Sequence, residues 1–131
     1  VPADHSSGCP VEEGKPNVEG GSAVGFVFRG EFGSVYVSGD TGVFADMGTI
    51  RELYAPELGV IPIDGHFNMG PYEAAYACEL LGIQRVFPYH WGTFPLLKGT
   101  PAELQEHLKA RGSRCEVLDV SPGGSVPLGH L

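Results

Sequence analysis

The sequence predicts an α/β fold, in which a β-sheet carries helices packed on one or both of its faces. Three observations predict it. Two β-rich segments are followed by helix and strand patterns that alternate three times, which is typical of α/β sheets. Prolines mark the start of two of the helical patterns, and glycines mark their ends. The chain has 131 residues, 42% of them apolar, which is enough for one domain with a buried core.

The first part of the chain holds a predicted loop, a hairpin and a short helix. Residues 6–22 show no apolar periodicity and are predicted to form a long surface loop. The β-rich runs Ala23–Phe28 and Ser34–Ser38 flank the turn residues 29–33, which predicts a β-hairpin. Met47–Tyr54 has apolar residues at helical spacing and is predicted to be an amphipathic helix.

The middle of the chain alternates strand, helix and strand. Leu58–Ile63 is a compact apolar run that predicts a buried strand. Its Pro62 lacks an N–H and therefore indicates a sheet edge or a strand end. A helix is predicted from Pro71 to Leu81, and Gly82 ends it in the left-handed conformation. Arg85–Tyr89 is predicted to be the next strand.

The last helix has the clearest start and stop signals. Thr100 is the predicted N-cap, Pro101 the first helical residue and Glu103 the acid of a capping box. Gly112 ends the helix. Cys115–Val120 then predicts a final strand.

Charge and composition exclude several function classes. Eight basic residues against 16 acidic ones give a net charge of −8, which disfavours binding to nucleic acid or to an anionic membrane. The chain has no apolar run near the roughly 18 residues that a membrane span requires. Its three cysteines are too few and too scattered for a disulfide framework, which favours a reducing, cytoplasmic location.

Candidate metal ligands follow three successive predicted strands. Asp40, His66 and His90 each lie at or just beyond a strand end, and His5 follows a segment that resembles the end of another strand. Ligands in α/β sheets bind beyond the carboxyl ends of the strands. Histidine and carboxylate together suit Zn²⁺ and similar divalent ions. The pattern therefore predicts a metal site at one edge of the sheet.

Each candidate also has an ordinary structural interpretation. Asp40 could form an Asx turn, and a single histidine such as His66 or His90 is more often structural than a ligand. The recurrence at three strand ends favours the metal site. His107 and His130 are assigned to solvent.

The cysteines have simpler interpretations. Cys9 is a loop thiol or, less favoured, a soft metal ligand near His5. Cys78 and Cys115 are predicted to be small core residues.

Four motifs in order give the chain a family resemblance. It resembles the C-terminal half of metal-dependent hydrolases with the metallo-β-lactamase fold, in the subgroup similar to ascorbate-6-phosphate lactonase. The resemblance extends from Val1 to about Gly124. The motifs that carry it are Ala3-Asp4-His5-Ser6-Ser7, Ser38-Gly39-Asp40-Thr41-Gly42, Gly65-His66-Phe67-Asn68-Met69-Gly70-Pro71 and Tyr89-His90-Trp91-Gly92-Thr93-Phe94-Pro95.

The resemblance implies an αββα sandwich whose rim holds one or two divalent metals, Zn²⁺ or Mn²⁺. By motif, His5 binds the first metal, Asp40 bridges both and His90 binds the second. His66 is implied to lie in a rim loop near the metals, with a catalytic role beside Asp40. The helix that starts at Pro71 could receive an anionic group of a small-molecule substrate.

The chain departs from the family pattern in length and at two residues. The leading H-x-H-x-D-H motif, which supplies further ligands, is absent from residues 1–131. The chain is therefore expected to be a C-terminal half that needs an N-terminal half, either a missing segment or a separate chain. Asp64 and Asn68 stand where the family more usually carries Gly and Thr. An uncovered apolar sheet face is expected from Val24, Phe26, Phe28, Val35 and Val37.

Two functions from different classes follow. The first is a metal-dependent hydrolase in which metal-activated water attacks a lactone, an amide or a phosphodiester. The second is a non-catalytic half-domain that docks with a partner chain, and assembly as a homo-oligomer is a further option. A serine hydrolase is disfavoured because the sequence has no Gly-x-Ser-x-Gly motif.

Overall fold

The computed structural model describes residues 1–127, so His130 lies outside the described residues. The elements, in chain order, are β1 (Gly8–Cys9), β2 (Val18–Glu19), β3 (Phe26–Gly30), β4 (Gly33–Val37), α1 (Met47–Tyr54), β5 (Leu58–Pro62), α2 (Pro71–Leu81), β6 (Arg85–Tyr89), α3 (Pro101–Ala110) and β7 (Glu116–Val117). The predicted α/β class, the hairpin, the three helices and the strands β5 and β6 are confirmed.

The described strands β3 to β7 form one sheet in the order β3-β4-β5-β6-β7. β3 and β4 pair antiparallel as a hairpin. The pairs β4–β5, β5–β6 and β6–β7 are all parallel. Each parallel pair needs a crossover connection, and α1, α2 and α3 provide these connections. The carboxyl ends of β4, β5 and β6 therefore meet at one edge of the sheet.

The three helices cover one face of this sheet. Tyr36, Ile61 and Val86 project from neighbouring strands into a core cluster that also contains residues of all three helices. Each of these three side chains is fully buried. Burial of this many apolar side chains is the main driving force for the fold.

The opposite face carries apolar side chains without a helix against them in the described chain. Phe26, Val37, Val60 and Phe87 are register partners across four neighbouring strands. The second core cluster lies on this face and contains no residue of α1, α2 or α3. Its outer part is open, since Phe26 and Phe28 remain 55% and 52% exposed. Of the residues expected on an uncovered face, Val24 is likewise half exposed, whereas Val35 is buried.

Two sequence expectations need correction. Residues 6–22 are not entirely loop, because β1 and β2 pair there as a short antiparallel ribbon. The last strand spans only Glu116–Val117 rather than Cys115–Val120, since this edge strand has a single neighbour and the chain turns away at Ser121–Gly124. Of the two alternatives for Pro62, the strand end is confirmed, since β5 ends at Pro62 and lies between β4 and β6 in the sheet.

The helix ends follow the predicted capping chemistry. The hydroxyl of Thr100 accepts a hydrogen bond from the backbone N–H of Glu103 at 3.2 Å, and the Glu103 carboxylate accepts one from the N–H of Thr100 at 2.9 Å. Gly82 ends α2 with φ +65°, in the left-handed region that favours glycine.

Among the described residues, no helix combines the length and apolarity that crossing a membrane requires.

Gly99 lets the loop after β6 pack against the end of β5. The N–H of Gly99 donates to the carbonyl oxygen of Asp64 at 3.3 Å. A Cβ at this position would lie 1.7 Å from the carbonyl oxygen of Ile63, which no side chain can occupy. The residue is therefore small because the two backbones touch.

We expect Gly99→Ala to destabilise the protein, because the loop must move away from Ile63. The free energy of unfolding, measured by urea denaturation of the natural protein, should fall by about 2 kcal/mol or more. Gly48→Ala is the matched control, since a Cβ at Gly48 in α1 meets no atom within 4 Å. That variant should be unchanged or up to about 1 kcal/mol more stable. Equal effects of the two variants would contradict this interpretation of Gly99.

Candidate active site

Two predicted site residues, Asp40 and His90, and the additional residue Asp64 follow the ends of parallel strands. Asp40 lies three residues beyond the end of β4, and Asp64 lies two residues beyond the end of β5. His90 directly follows β6. Because these strands are parallel neighbours, the three residues follow the same ends of adjacent strands. The sequence-based placement of a site at this edge is consistent with the topology.

Hydrogen bonds fix the N-terminal segment beside the β4 end. The N–H of Asp4 donates to the hydroxyl of buried Thr41 at 2.9 Å, and the N–H of Gly42 donates to the carbonyl oxygen of Asp4 at 2.8 Å. These bonds place His5 next to the loop that carries Asp40. The His5 ring contacts the carbonyl oxygen of Ser6 through Nδ1 at 2.7 Å, which leaves Nε2 for another partner.

Asp64 is the most highly connected polar residue of this edge. Its carboxylate is buried, and Oδ1 accepts hydrogen bonds from three backbone N–H groups of the loop between β5 and α2, residues 63–70, which is called the rim loop below. The bond lengths are 2.8 Å for His66, 2.6 Å for Phe67 and 3.2 Å for Asn68. Oδ2 accepts a further bond from the Asn68 side chain at 2.7 Å. The two departures from the family motif, Asp64 and Asn68, thus contact each other.

The hydrogen bonds decide the ionisation state of Asp64. Burial alone would raise the pKa of this carboxyl group. The bonds from the Asn68 side chain and from the rim-loop backbone outweigh burial and lower the pKa of Asp64 below its usual value. At neutral pH the group is therefore a carboxylate, which can only accept hydrogen bonds.

His90 lies against this carboxylate. Its Nδ1 is 3.1 Å from Oδ2 of Asp64, and its side chain is 29% exposed. The backbone of His90 has φ +58°, in the left-handed region that residues with a Cβ rarely adopt. Such strained residues concentrate at functional sites.

The Tyr89 hydroxyl lies within the electrostatic influence of both Asp40 and Asp64. Burial raises the pKa of the Tyr89 hydroxyl, and the negative charges of Asp40 and Asp64 raise it further. The hydroxyl therefore stays protonated near neutral pH.

Sequence analysis missed both Tyr89 and the role of Asp64. Asp64 follows a strand and precedes a glycine, which is a turn signal that could have drawn attention to it.

A cleft of about 610 Å³ opens between the N-terminal segment and the loop after β5, and neither Asp40 nor His90 lines it. Its lining includes Asp4, His5, Asn68 and Glu73. The N-terminus of α2 faces this cleft, but the Glu73 carboxylate already accepts a hydrogen bond from the Gly70 N–H at 3.1 Å. An anionic substrate group at this helix end would meet that carboxylate, which weakens the expectation of an anion site there.

His66 lies at the exposed rim. Its ring is in edge-to-face contact with the ring of Phe67, with centroids 4.5 Å apart. Its backbone N–H is held by Asp64, whereas its side chain is exposed to solvent. Phe67, which follows it, lines the cleft.

The donor types fit a divalent metal, and the number of donors is incomplete. His5, Asp40 and His90 offer imidazole and carboxylate donors, the set that Zn²⁺ prefers. The Nδ1 of His90 is buried without a hydrogen bond of standard geometry within residues 1–127, although it lies 3.1 Å from Oδ2 of Asp64. Within the same residues, no group of three or more His, Cys, Asp or Glu side chains is arranged to hold a metal ion. Cys9 is exposed, while Cys78 and Cys115 are buried core residues as predicted.

Comparison with known proteins gives a consistent result. The family model described as the beta-lactamase superfamily domain matches residues 1–91. A UPF0173 metal-dependent hydrolase of Korarchaeum cryptofilum is 53% identical over 108 residues, covering 82% of this chain and 49% of that protein. One from Rubrobacter xylanophilus is 45% identical over 122 residues, covering 92% of this chain and 50% of that protein. The chain spans about half the length of the curated relatives it matches.

Solved structures share the fold. Igni18, a metallo hydrolase of the archaeon Ignicoccus hospitalis, superposes with a TM-score of 0.69 and 35% identity over 95% of this chain and 49% of its own. A metallo-β-lactamase superfamily protein from Thermotoga maritima has a TM-score of 0.55 at 22% identity, covering 84% of this chain and 61% of its own, and shows the fold alone. With residues 1–91 matched by the family model, the chain belongs to the beta-lactamase superfamily domain family and has the metallo-β-lactamase fold.

Proposed function

We propose that this chain forms the C-terminal half of a metal-dependent hydrolase. The observation that carries the proposal is the convergence of strand ends. Parallel strands deliver Asp40 and His90 to one sheet edge, and the segment bonded to Thr41 adds His5. The names of the relatives, metal-dependent hydrolases, support the same chemistry.

In the proposed site, His5, Asp40 and His90 hold one or two divalent ions, with Zn²⁺ favoured by the donor types and Mn²⁺ as the second choice. When bound, such an ion would lower the pKa of a coordinated water to about 7 and so supply a nucleophile at neutral pH. The Asp40 carboxylate would bind the metal and orient the attacking water. His66, at the exposed rim beside the cleft, is proposed to contact the substrate, which is a small molecule with a lactone, amide or phosphodiester bond.

The proposal includes a second half that carries H-x-H-x-D-H. Support comes from the uncovered sheet face, where Phe26 and Phe28 are half exposed, and from the incomplete donor set. Apolar patches of this kind mark interaction surfaces. The relatives have about twice the length of the matched region, so the additional length can hold such a half.

A non-catalytic half-domain is the second candidate. The lack of a three-donor cluster within residues 1–127 is the observation that favours it. The N-terminal sequence of the natural protein separates the two candidates, because only the hydrolase requires the H-x-H-x-D-H ligands in the assembled domain.

We expect His90→Ala and Asp40→Asn each to lower the metal content of the natural protein by at least tenfold, because the first removes a proposed donor and the second replaces an anionic donor with a neutral amide. His107→Ala is the control. His107 lies on α3 rather than at a strand end, and its ring contacts the ring of Tyr72 with centroids 5.5 Å apart. Elemental analysis of the purified proteins measures the effect. Equal metal content in all three variants would refute the ligand assignment.

Metal removal should abolish hydrolysis. After dialysis of the natural protein against EDTA, turnover of a 4-nitrophenyl ester or a simple lactone should fall at least a hundredfold. Added Zn²⁺ or Mn²⁺ should restore it. Full activity in the EDTA-treated sample would rule out the proposed mechanism.

Residues 1–131 expressed alone should aggregate or bind metal weakly. The apolar sheet face is uncovered, and the set of metal donors is incomplete. Addition of a segment carrying H-x-H-x-D-H should restore a defined size in light scattering and a full metal content. A well-folded monomer with two bound metals would contradict the requirement for a second half.

A further inference from the structure

The Asp64 carboxylate joins the rim loop to His90. Its Oδ1 is committed to three backbone N–H groups of residues 66–68. Its Oδ2 faces two nitrogen atoms, Nδ2 of Asn68 at 2.7 Å and Nδ1 of His90 at 3.1 Å. Because the Asp64 side chain is fully buried, its hydrogen-bond partners are protein groups and not solvent.

This arrangement determines which nitrogen of His90 carries the proton. An ionised carboxylate accepts hydrogen bonds and donates none, so the imidazole atom that faces it is favourable only as N–H. Nδ1 of His90 has no hydrogen bond of standard geometry in the described chain, and Oδ2 of Asp64, at 3.1 Å, is the acceptor that lies against it. Contacts at catalytic groups are often loosely aligned before the ligand is bound. With the proton on Nδ1, the lone pair of Nε2 is available.

The backbone of His90 adds an independent reason for a fixed ring. Its φ of +58° is unfavourable for a residue with a Cβ, and such a conformation persists only where surrounding contacts hold it. The Phe67 ring lies edge-on to the His90 ring, with centroids 6.4 Å apart. Because Asp64 binds the N–H of Phe67 at 2.6 Å, the same carboxylate positions both rings.

We propose that Asp64 is a positioning residue that fixes His90 as the Nδ1–H tautomer and orients its Nε2 toward the sheet edge. This inference rests on the proposed function for its use, since Nε2 of His90 is then the metal donor. It assigns a task to a residue that lies outside the predicted ligand set. Histidine ligands in metal sites commonly depend on a carboxylate of this kind.

Asp64→Asn gives the sharpest test. The three backbone N–H groups require an oxygen at the Oδ1 position, so the new amide nitrogen must occupy the Oδ2 position. There it presents N–H groups to Nδ1 of His90, which can then serve only as an acceptor. The substitution should therefore move the proton of His90 from Nδ1 to Nε2.

The tautomer is read by ¹⁵N NMR of the metal-free natural protein labelled at histidine, with His90 assigned from the spectrum of His90→Ala. We expect Nδ1–H in the unmodified protein and Nε2–H in Asp64→Asn. The Kd for Zn²⁺, measured by chelator competition, should rise 10- to 100-fold in the variant. Asn68→Ala is the matched control, since it removes the other nitrogen at Oδ2 and leaves Asp64 facing His90. It should keep the Nδ1–H tautomer and a Zn²⁺ Kd within about threefold of the unmodified protein.

The outcomes separate this inference from the proposed function. A proton on Nε2 of His90 in the unmodified protein overturns the positioning role, and this arm requires no variant to fold. An unchanged tautomer in Asp64→Asn overturns it as well. If the unmodified protein binds no Zn²⁺, the proposed metal chemistry fails, while the NMR measurement still decides the role of Asp64.

Discussion

Parallel pairing of β4, β5 and β6 is the constraint on which the rest of the structure depends. Parallel strands must be joined by crossovers, and here α1 and α2 provide them on one face of the sheet. The carboxyl ends of the three strands consequently coincide. A polar residue after a single strand is usually an ordinary turn residue. Here β4, β5 and β6 are neighbours, so Asp40, Asp64 and His90 follow three adjacent strand ends.

The one-sided helical cover links assembly to the site. The face toward the helices is closed by fully buried residues such as Tyr36 and Ile61, whereas the opposite face leaves Phe26 and Phe28 half exposed. These two phenylalanines lie on β3, the neighbour of the β4 strand that leads to Asp40, and the outer-face residues Val37, Val60 and Phe87 of β4, β5 and β6 are half-buried. In the proposed assembly, the second half covers this face and lies next to the ends of β4, β5 and β6, so that folding and completion of the proposed metal site are coupled.

A buried charge and a strained residue lie side by side at this edge. The ionised Asp64 is stable in the interior because four N–H groups from the rim loop and Asn68 surround it. Its remaining contact is His90, whose backbone is in the left-handed region. Local hydrogen bonding at the β5 end therefore supports a geometry at the β6 end that the local sequence would not adopt by itself.

The sequence alone determined the elements whose signals are local. The capping box at Thr100 and the glycine at position 82 are short-range chemistry, and both ends lie where the residues indicate. The positions of Asp40 and His90 after strands were also predicted, from the β-rich runs that precede them in the sequence. Tertiary structure decided the rest. The contact between Asp64 and His90 joins residues 26 positions apart in sequence, and the touching backbones at Gly99 and Ile63 leave no periodic signal. Such contacts depend on which strands become neighbours, and that is fixed only when the whole sheet packs against its helices.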